Sequence, residues 1–178
     1  MKDLSLHIMD ILQNSTRAGA SEITLDIVEN KTNDTLRITF IDNGSGMSEE
    51  TLQHVLDPFF TTRTTRKVGL GLSLLKQNAE MTGGNLNIKS QLGVGTEVVV
   101  VFGLSHIDRP PMGDLAGTVV LTASANPNIR FIFHYQTDVI DYTFDTKEVN
   151  EALDGISLQE PEVISYLREM IAENITQK

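Results

Sequence analysis

The sequence predicts an α+β fold, and three patterns carry that reading. A helical stripe opens the chain, alternating strand runs follow in hairpin pairs, and a second helical stretch separates the first pair from the next. Leu4, Ile8, Ile11 and Leu12 recur at helical spacing, with Gly19 placed to stop the helix. Glu22–Val28 and Thr35–Ile41 alternate apolar and polar residues around a polar turn at 29–34, which predicts a hairpin. Ser48 reads as an N-cap, with Glu49 and Glu50 in the first turn of a short helix. A Thr- and Arg-rich stretch at 59–68 has no period and is expected to be a mobile loop. Residues 69–81 then read as a helix stopped by Gly83-Gly84. Strands are expected near 85–89 and 96–102, joined by a turn through Gly93 and Gly95.

Composition narrows the function. The chain has 178 residues, of which 14 are Lys or Arg and 24 are Asp or Glu, for a net charge of -10. Nucleic acid is a poor default partner for such a chain, because phosphate backbones are bound by clustered cations. The sequence has no cysteine, which excludes disulfides and thiolate metal sites. The N-terminus carries Asp3 and Asp10 and does not read as a signal peptide. No apolar run is long enough to span a bilayer, so a cytoplasmic protein without a membrane segment is expected.

The Pro-Pro-bearing stretch at 105–114 is expected to be a linker between residues 1–104 and a small C-terminal α+β module at 115–178. Within that module, 117–122, 129–135 and 139–144 read as strands. Helices are expected from Thr146 and from about Glu160. Ser157 and Glu160 are spaced as a capping box, and Pro161 sits in the first turn. The module is either a docking or dimerisation surface or an extension of the sheet that caps the core.

Four short signals occur in the order that a nucleotide pocket needs. Asp10 and Asn14 are four apart on the first helix and share a face. An amide oxygen at Asn14 suits Mg²⁺, and a carboxylate one turn away suits activation of water. Asp42-Asn-Gly44-Ser-Gly46-Met47 follows a strand directly. There a carboxylate can accept the exocyclic amine of adenine, and glycines let the backbone approach the base. Gly69-Leu70-Gly71 opens a helix, whose free N–H groups suit phosphate. Gly93-Val-Gly95-Thr96 enters a strand, with Thr96 able to hydrogen-bond near the base. Each alone is also an ordinary turn or polar helix face. Arg63, Arg66 and Lys67 lie between two of these signals and are either a solvated basic loop or cations that neutralise phosphates.

Taken together, these residues resemble the GHKL ATPases, the superfamily of gyrase-type ATPases, heat-shock chaperones, histidine kinases and mismatch-repair ATPases. Asn14 matches the N box, Asp42-x-Gly44-x-Gly46 the G1 box and Gly69-x-Gly71 the G2 box. Pro58-Phe59-Phe60-Thr61-Thr62 resembles the F box before the histidine-kinase lid. The F box followed by GLGLSLLK is most like histidine kinases, while NSTRAGA at 14–20 is also similar to mismatch-repair ATPases.

The resemblance implies a Bergerat-type sandwich over residues 1–104: a mixed, mostly antiparallel sheet with helices on one face. It implies bound ATP and Mg²⁺. It places Asp10 and Asn14 in catalysis, with Asn14 also on the metal. It places Arg17, Asp42, Gly44, Gly46, Met47, Arg63, Lys67, Gly69, Leu70, Gly71 and Thr96 around the nucleotide. Asp10 stands where several relatives have Glu, which puts rapid hydrolysis in doubt. No phosphoacceptor hairpin is expected before the N box, and no His-Asp/Glu acceptor pattern occurs in the sequence. The arrangement is similar to the freestanding anti-sigma-factor serine kinases, which implies an acceptor on another protein. A kinase-like regulator acting in trans leads. A nucleotide-sensing switch and a slow ATPase coupled to homodimerisation remain open.

Overall fold

Alternation in the strands decides the architecture. β1 (Glu22–Asn30) buries Ile23, Leu25 and Ile27, and β2 (Thr35–Asp42) buries Leu36, Ile38 and Phe40, so each gives one face to the core. β3 (Asn85–Gln91) buries Leu86, β4 (Gly95–Gly103) buries Val98, Val100 and Phe102, and β5 (Arg130–Gln136) buries Phe131, Phe133 and Tyr135. β6 (Asp141–Asp145) completes the set. The computed structural model describes residues 2–57, 59 and 70–176. In it these strands form one six-stranded sheet in the order β3-β4-β2-β1-β5-β6. Its pairings are antiparallel except β1 with β5, which run parallel.

A helical layer covers the apolar face. α1 (Leu4–Arg17) packs against α3 (Leu70–Met81) and α4 (Leu115–Ala125), and α4 packs against α6 (Pro161–Ile175). The short α2 (Glu49–His54) lies near β3, and α5 (Thr146–Leu153) follows β6. The result is a two-layer α+β sandwich, as the sequence predicts.

α1 starts where its orphan donors find acceptors. The Asp3 carboxylate accepts the Leu6 N–H at 3.0 Å, and the Leu4 and Ser5 N–H groups donate to the carbonyls of Pro111 and Met112. The helix stops at Gly19, whose φ of 73° suits glycine. His7 is buried, and its Nε2 accepts from the Asn78 amide at 3.1 Å, which ties α1 to α3. Burial pushes the His7 pKa below its ordinary value, consistent with a neutral ring.

The segment expected as a linker therefore docks on the first turn of α1. Beyond it, β5 joins β1 in the same sheet, and Val119, Phe131, Phe133 and Ile171 share one core with Ile8, Leu25 and Ile27. Sheet and core are continuous across residues 105–114.

Two local expectations are corrected. Residues 117–122 are helix, not strand. α4 is buried over nine of its eleven residues, so it shows no polar stripe, and its Gly-Thr-Val-Val run imitates a buried strand. What sets the helix is Asp114, whose carboxylate accepts the Gly117 N–H at 2.9 Å. Ser157 does not cap α6 either. Its hydroxyl accepts the Gln159 N–H, and the cap position is Glu160 with Pro161 after it.

The sheet's other face carries a charged cluster. His134 on β5 lies between two carboxylates, with Nδ1 at 2.6 Å from Asp26 on β1 and Nε2 at 2.7 Å from Asp141 on β6. Arg37 on β2 reaches the other oxygen of Asp26 at 3.9 Å. Burial works against the imidazolium, but the hydrogen bonds to Asp26 and Asp141 outweigh it and raise the His134 pKa above its ordinary 6.5. A raised pKa stabilises the fold fully below the unfolded value, and that gain is lost as pH rises through the folded value. The melting-temperature advantage of wild type over His134→Gln is therefore expected to be largest in mild acid and to shrink above about pH 6.5. A difference that stays flat from about pH 5.5 to 9 would contradict this account.

Candidate functional site

The site is built where β2 ends. Asp42 is the last residue of β2 and stands opposite Thr96 in the register with β4. Its Oδ1 accepts the Gly44 N–H at 2.9 Å, and its Oδ2 accepts the Ser15 hydroxyl at 2.7 Å. The carboxylate is thus held by one donor from its own loop and one from α1.

The loop after Asp42 is pinned to α1 and to the β3–β4 turn. The Ser45 N–H donates to the Ala18 carbonyl at the end of α1, and the Gly93 N–H donates to the Ser45 carbonyl. A Cβ at Gly44 would come within 2.7 Å of Ala18 Cβ. Gly46 has φ of 68°, and a Cβ there would lie 2.0 Å from the Gln91 carbonyl oxygen. Below the loop, Ser90 Oγ accepts the Met47 N–H at 2.8 Å and lies 2.8 Å from Thr96 Oγ1. Ser90 also donates to the Gly95 carbonyl at 3.0 Å.

Two helices also line the cleft. Asp10 and Asn14 occupy successive turns of α1 and both line the cleft. Gly71, near the start of α3, closes on Asp10: a Cβ at that glycine would sit 1.9 Å from Asp10 Oδ2. Glycine here makes room for a carboxylate.

These elements enclose a cleft of about 480 Å³, within the range of small-molecule sites. It brings together Asp10, Asn14 and Arg17 of α1 with Asp42, Gly46 and Met47 of the loop, and with Gly71 and Thr96. Gly44 lies behind, packed on Ala18. Arg63, Arg66, Lys67 and Gly69, the side chain of Leu70, and the expected mobile loop and F box apart from Phe59 lie outside the described residues. Phe40 and Val98, both buried, give one wall an apolar surface that suits a flat ring. Among the described residues, no cluster of three or more His, Cys, Asp or Glu side chains can hold a metal ion. Of the residues lining the cleft, Asn14 has an amide oxygen that would suit a Mg²⁺ shared with phosphate oxygens.

Residues 2–106, more than half of the chain, match the model of the histidine kinase-, DNA gyrase B- and HSP90-like ATPases. The chain belongs to that ATPase family. Among its relatives, sporulation kinase D of Bacillus subtilis is 34% identical over 94 residues, covering 53% of this chain and 18% of its own length. Sensor protein SrrB of Staphylococcus aureus is 34% identical over 105 residues, covering 56% and 18%. The chain thus spans less than a fifth of the length of these relatives. The crystal structure of the N-terminal domain of a DNA repair protein superposes with a TM-score of 0.59 at 16% identity, over 82% of this chain and 52% of that one. That likeness shows the fold, and it reaches beyond the residues that the family model matches.

Within this ATPase domain, sequence reasoning missed Ser15, Ser90 and the apolar wall of Phe40 and Val98. Ser15 directly follows Asn14, so its place beside the pocket was the one available signal. Ser90 has none, because its partners are set by the sheet register. No helix among the described residues is long and apolar enough to cross a membrane.

Proposed function

We propose that the cleft binds Mg-ATP and that the chain acts as a kinase-like regulator, phosphorylating or controlling a partner protein in trans. One observation carries this reading: a single cleft is lined both by an anchored carboxylate, Asp42, and by the Asp10–Asn14 face of α1. An anchored carboxylate beside an apolar wall suits an amino-purine. The amide and carboxylate oxygens of Asn14 and Asp10 suit a hard cation chelated by phosphates, with Arg17 on the same helix. Bound Mg²⁺ would neutralise phosphate charge. Gly71 and the start of α3 would offer backbone N–H groups to the phosphates. The relative named as a sporulation kinase supports transfer over release.

Asp10 favours a second reading. A buried carboxylate that lines the cleft can orient a water against the terminal phosphate, which makes slow ATP hydrolysis the competing activity.

The test is incubation with γ-labelled ATP, Mg²⁺ and the products of neighbouring genes. Label is expected on a partner protein with wild type, and a loss of about a hundredfold or more with Asn14→Ala. Free phosphate without labelled protein would favour the ATPase. ATP binding with neither product would leave a nucleotide-sensing switch.

A further inference from the structure

We propose that Ser15 is a positioning residue for base selection: its hydroxyl fixes the Asp42 carboxylate so that the cleft takes a 6-amino purine and rejects a 6-oxo purine. The inference rests on reading the cleft as an ATP site and adds the element that makes the site choosy.

The geometry points to Ser15 because its hydroxyl is spent in an unusual direction. A serine inside a helix commonly turns its hydroxyl back to the carbonyl one turn earlier. Ser15 instead donates across 27 residues of sequence to Asp42 Oδ2, at 2.7 Å. It is only 4% exposed, so the contact is held by packing. The second oxygen of Asp42 is held by the Gly44 N–H at 2.9 Å. Two donors in fixed frames, one from α1 and one from the loop, set the plane of the carboxylate.

An ionised carboxylate has about four acceptor sites and no donor. Ser15 and Gly44 take one on each oxygen, and the carboxylate borders the cleft. What remains there is acceptor only. An exocyclic amine meets it with an N–H. A 6-oxo group meets it with a second lone pair and leaves a desolvated charge opposite an oxygen, a penalty that discriminates more strongly than a merely missing contact. Without Ser15 the carboxylate is tethered on one side, can rotate about its Cβ–Cγ bond, and can admit water between itself and an oxo group.

Position in the chain adds a consequence. Ser15 follows Asn14, so the residue that orients the base reader and the residue at the phosphate end belong to one turn of α1. Base choice and phosphate placement then depend on the same rigid element.

The test uses calorimetry on the full chain with ATP, inosine triphosphate, and purine riboside triphosphate, which lacks any 6-substituent. The variants are Ser15→Ala and Ser15→Thr. Wild type is expected to prefer ATP over inosine triphosphate by about a hundredfold or more. Ser15→Ala is expected to cut that ratio by about tenfold, while purine riboside triphosphate binds within about twofold of wild type. Ser15→Thr keeps the hydroxyl and is expected to keep the ratio. Each ratio is taken within one protein, so a partly unfolded fraction cancels. An unchanged ratio in Ser15→Ala, or an equal loss for all three nucleotides, would overturn the proposal and leave the ATP reading standing. If wild type bound none of the three, both would fall.

Discussion

Asp42→Ala is expected to weaken ATP binding by about a hundredfold while the protein stays folded. A hydrogen bond to a charged group contributes about 1.5–3 kcal/mol, which alone corresponds to roughly 10- to 150-fold in affinity. The substitution also strips the acceptor from Ser15 and from the Gly44 N–H, so the loop that approaches the base loses its fixed shape. Both effects act on the bound state, and the upper part of that range is expected. Stability changes less, because Asp42 borders the cleft and the space that its carboxylate vacates opens onto it. A fall in melting temperature of about 5 °C or less is expected for a chain of this size. Asp138→Ala, at an exposed position away from the cleft, serves as the control. Equal affinity for ATP in Asp42→Ala and wild type would remove the base-binding end of the site, and with it the proposed function.

How much of this was legible in the sequence follows from the range of each interaction. α1, the β1–β2 hairpin and the loop after Asp42 are specified by neighbours: a 3.6-residue stripe, strict alternation, and glycines at fixed offsets. Asp10 and Asn14 could be placed on one face because the helix does that locally. The Asp42–Thr96 pairing was not legible, since a register between residues 54 positions apart has no local signature. Ser15 to Asp42 and Met47 to Ser90 are long-range for the same reason. α4 was misread because a helix buried on nearly every side has lost the polar stripe that marks helices, and its β-branched residues then imitate a strand. The parallel seating of β5 beside β1 was also hidden. It depends on a connection that runs through every element between them, and no turn motif announces it.

Gly71→Ala is expected to lower turnover, whether label transfer or phosphate release, by about a hundredfold with a nearly unchanged melting curve. The added Cβ would lie 1.9 Å from Asp10 Oδ2 and 3.2 Å from Asp10 Cγ, so one of the two must move. The obstacle is the end of a side chain rather than backbone, and the cheapest response is rotation of the carboxylate. Asp10 is only 7% exposed, so that rotation re-aims it inside the cleft instead of releasing it to solvent. A displacement of about 1 Å is enough to cost roughly a hundredfold in rate where a group must meet a reacting phosphate. Folding is spared because the strain falls on a side-chain carboxylate rather than on backbone, and alanine is a better helix former than glycine. ATP affinity is expected to fall less than turnover, since the base end of the cleft is untouched. The decisive comparison is a double-mutant cycle. Asp10→Ala removes the atoms that the new methyl would strike, so Gly71→Ala on that background is expected to cost nothing further. If the two losses multiply instead, Gly71 acts on the phosphates directly, and its packing on Asp10 is incidental.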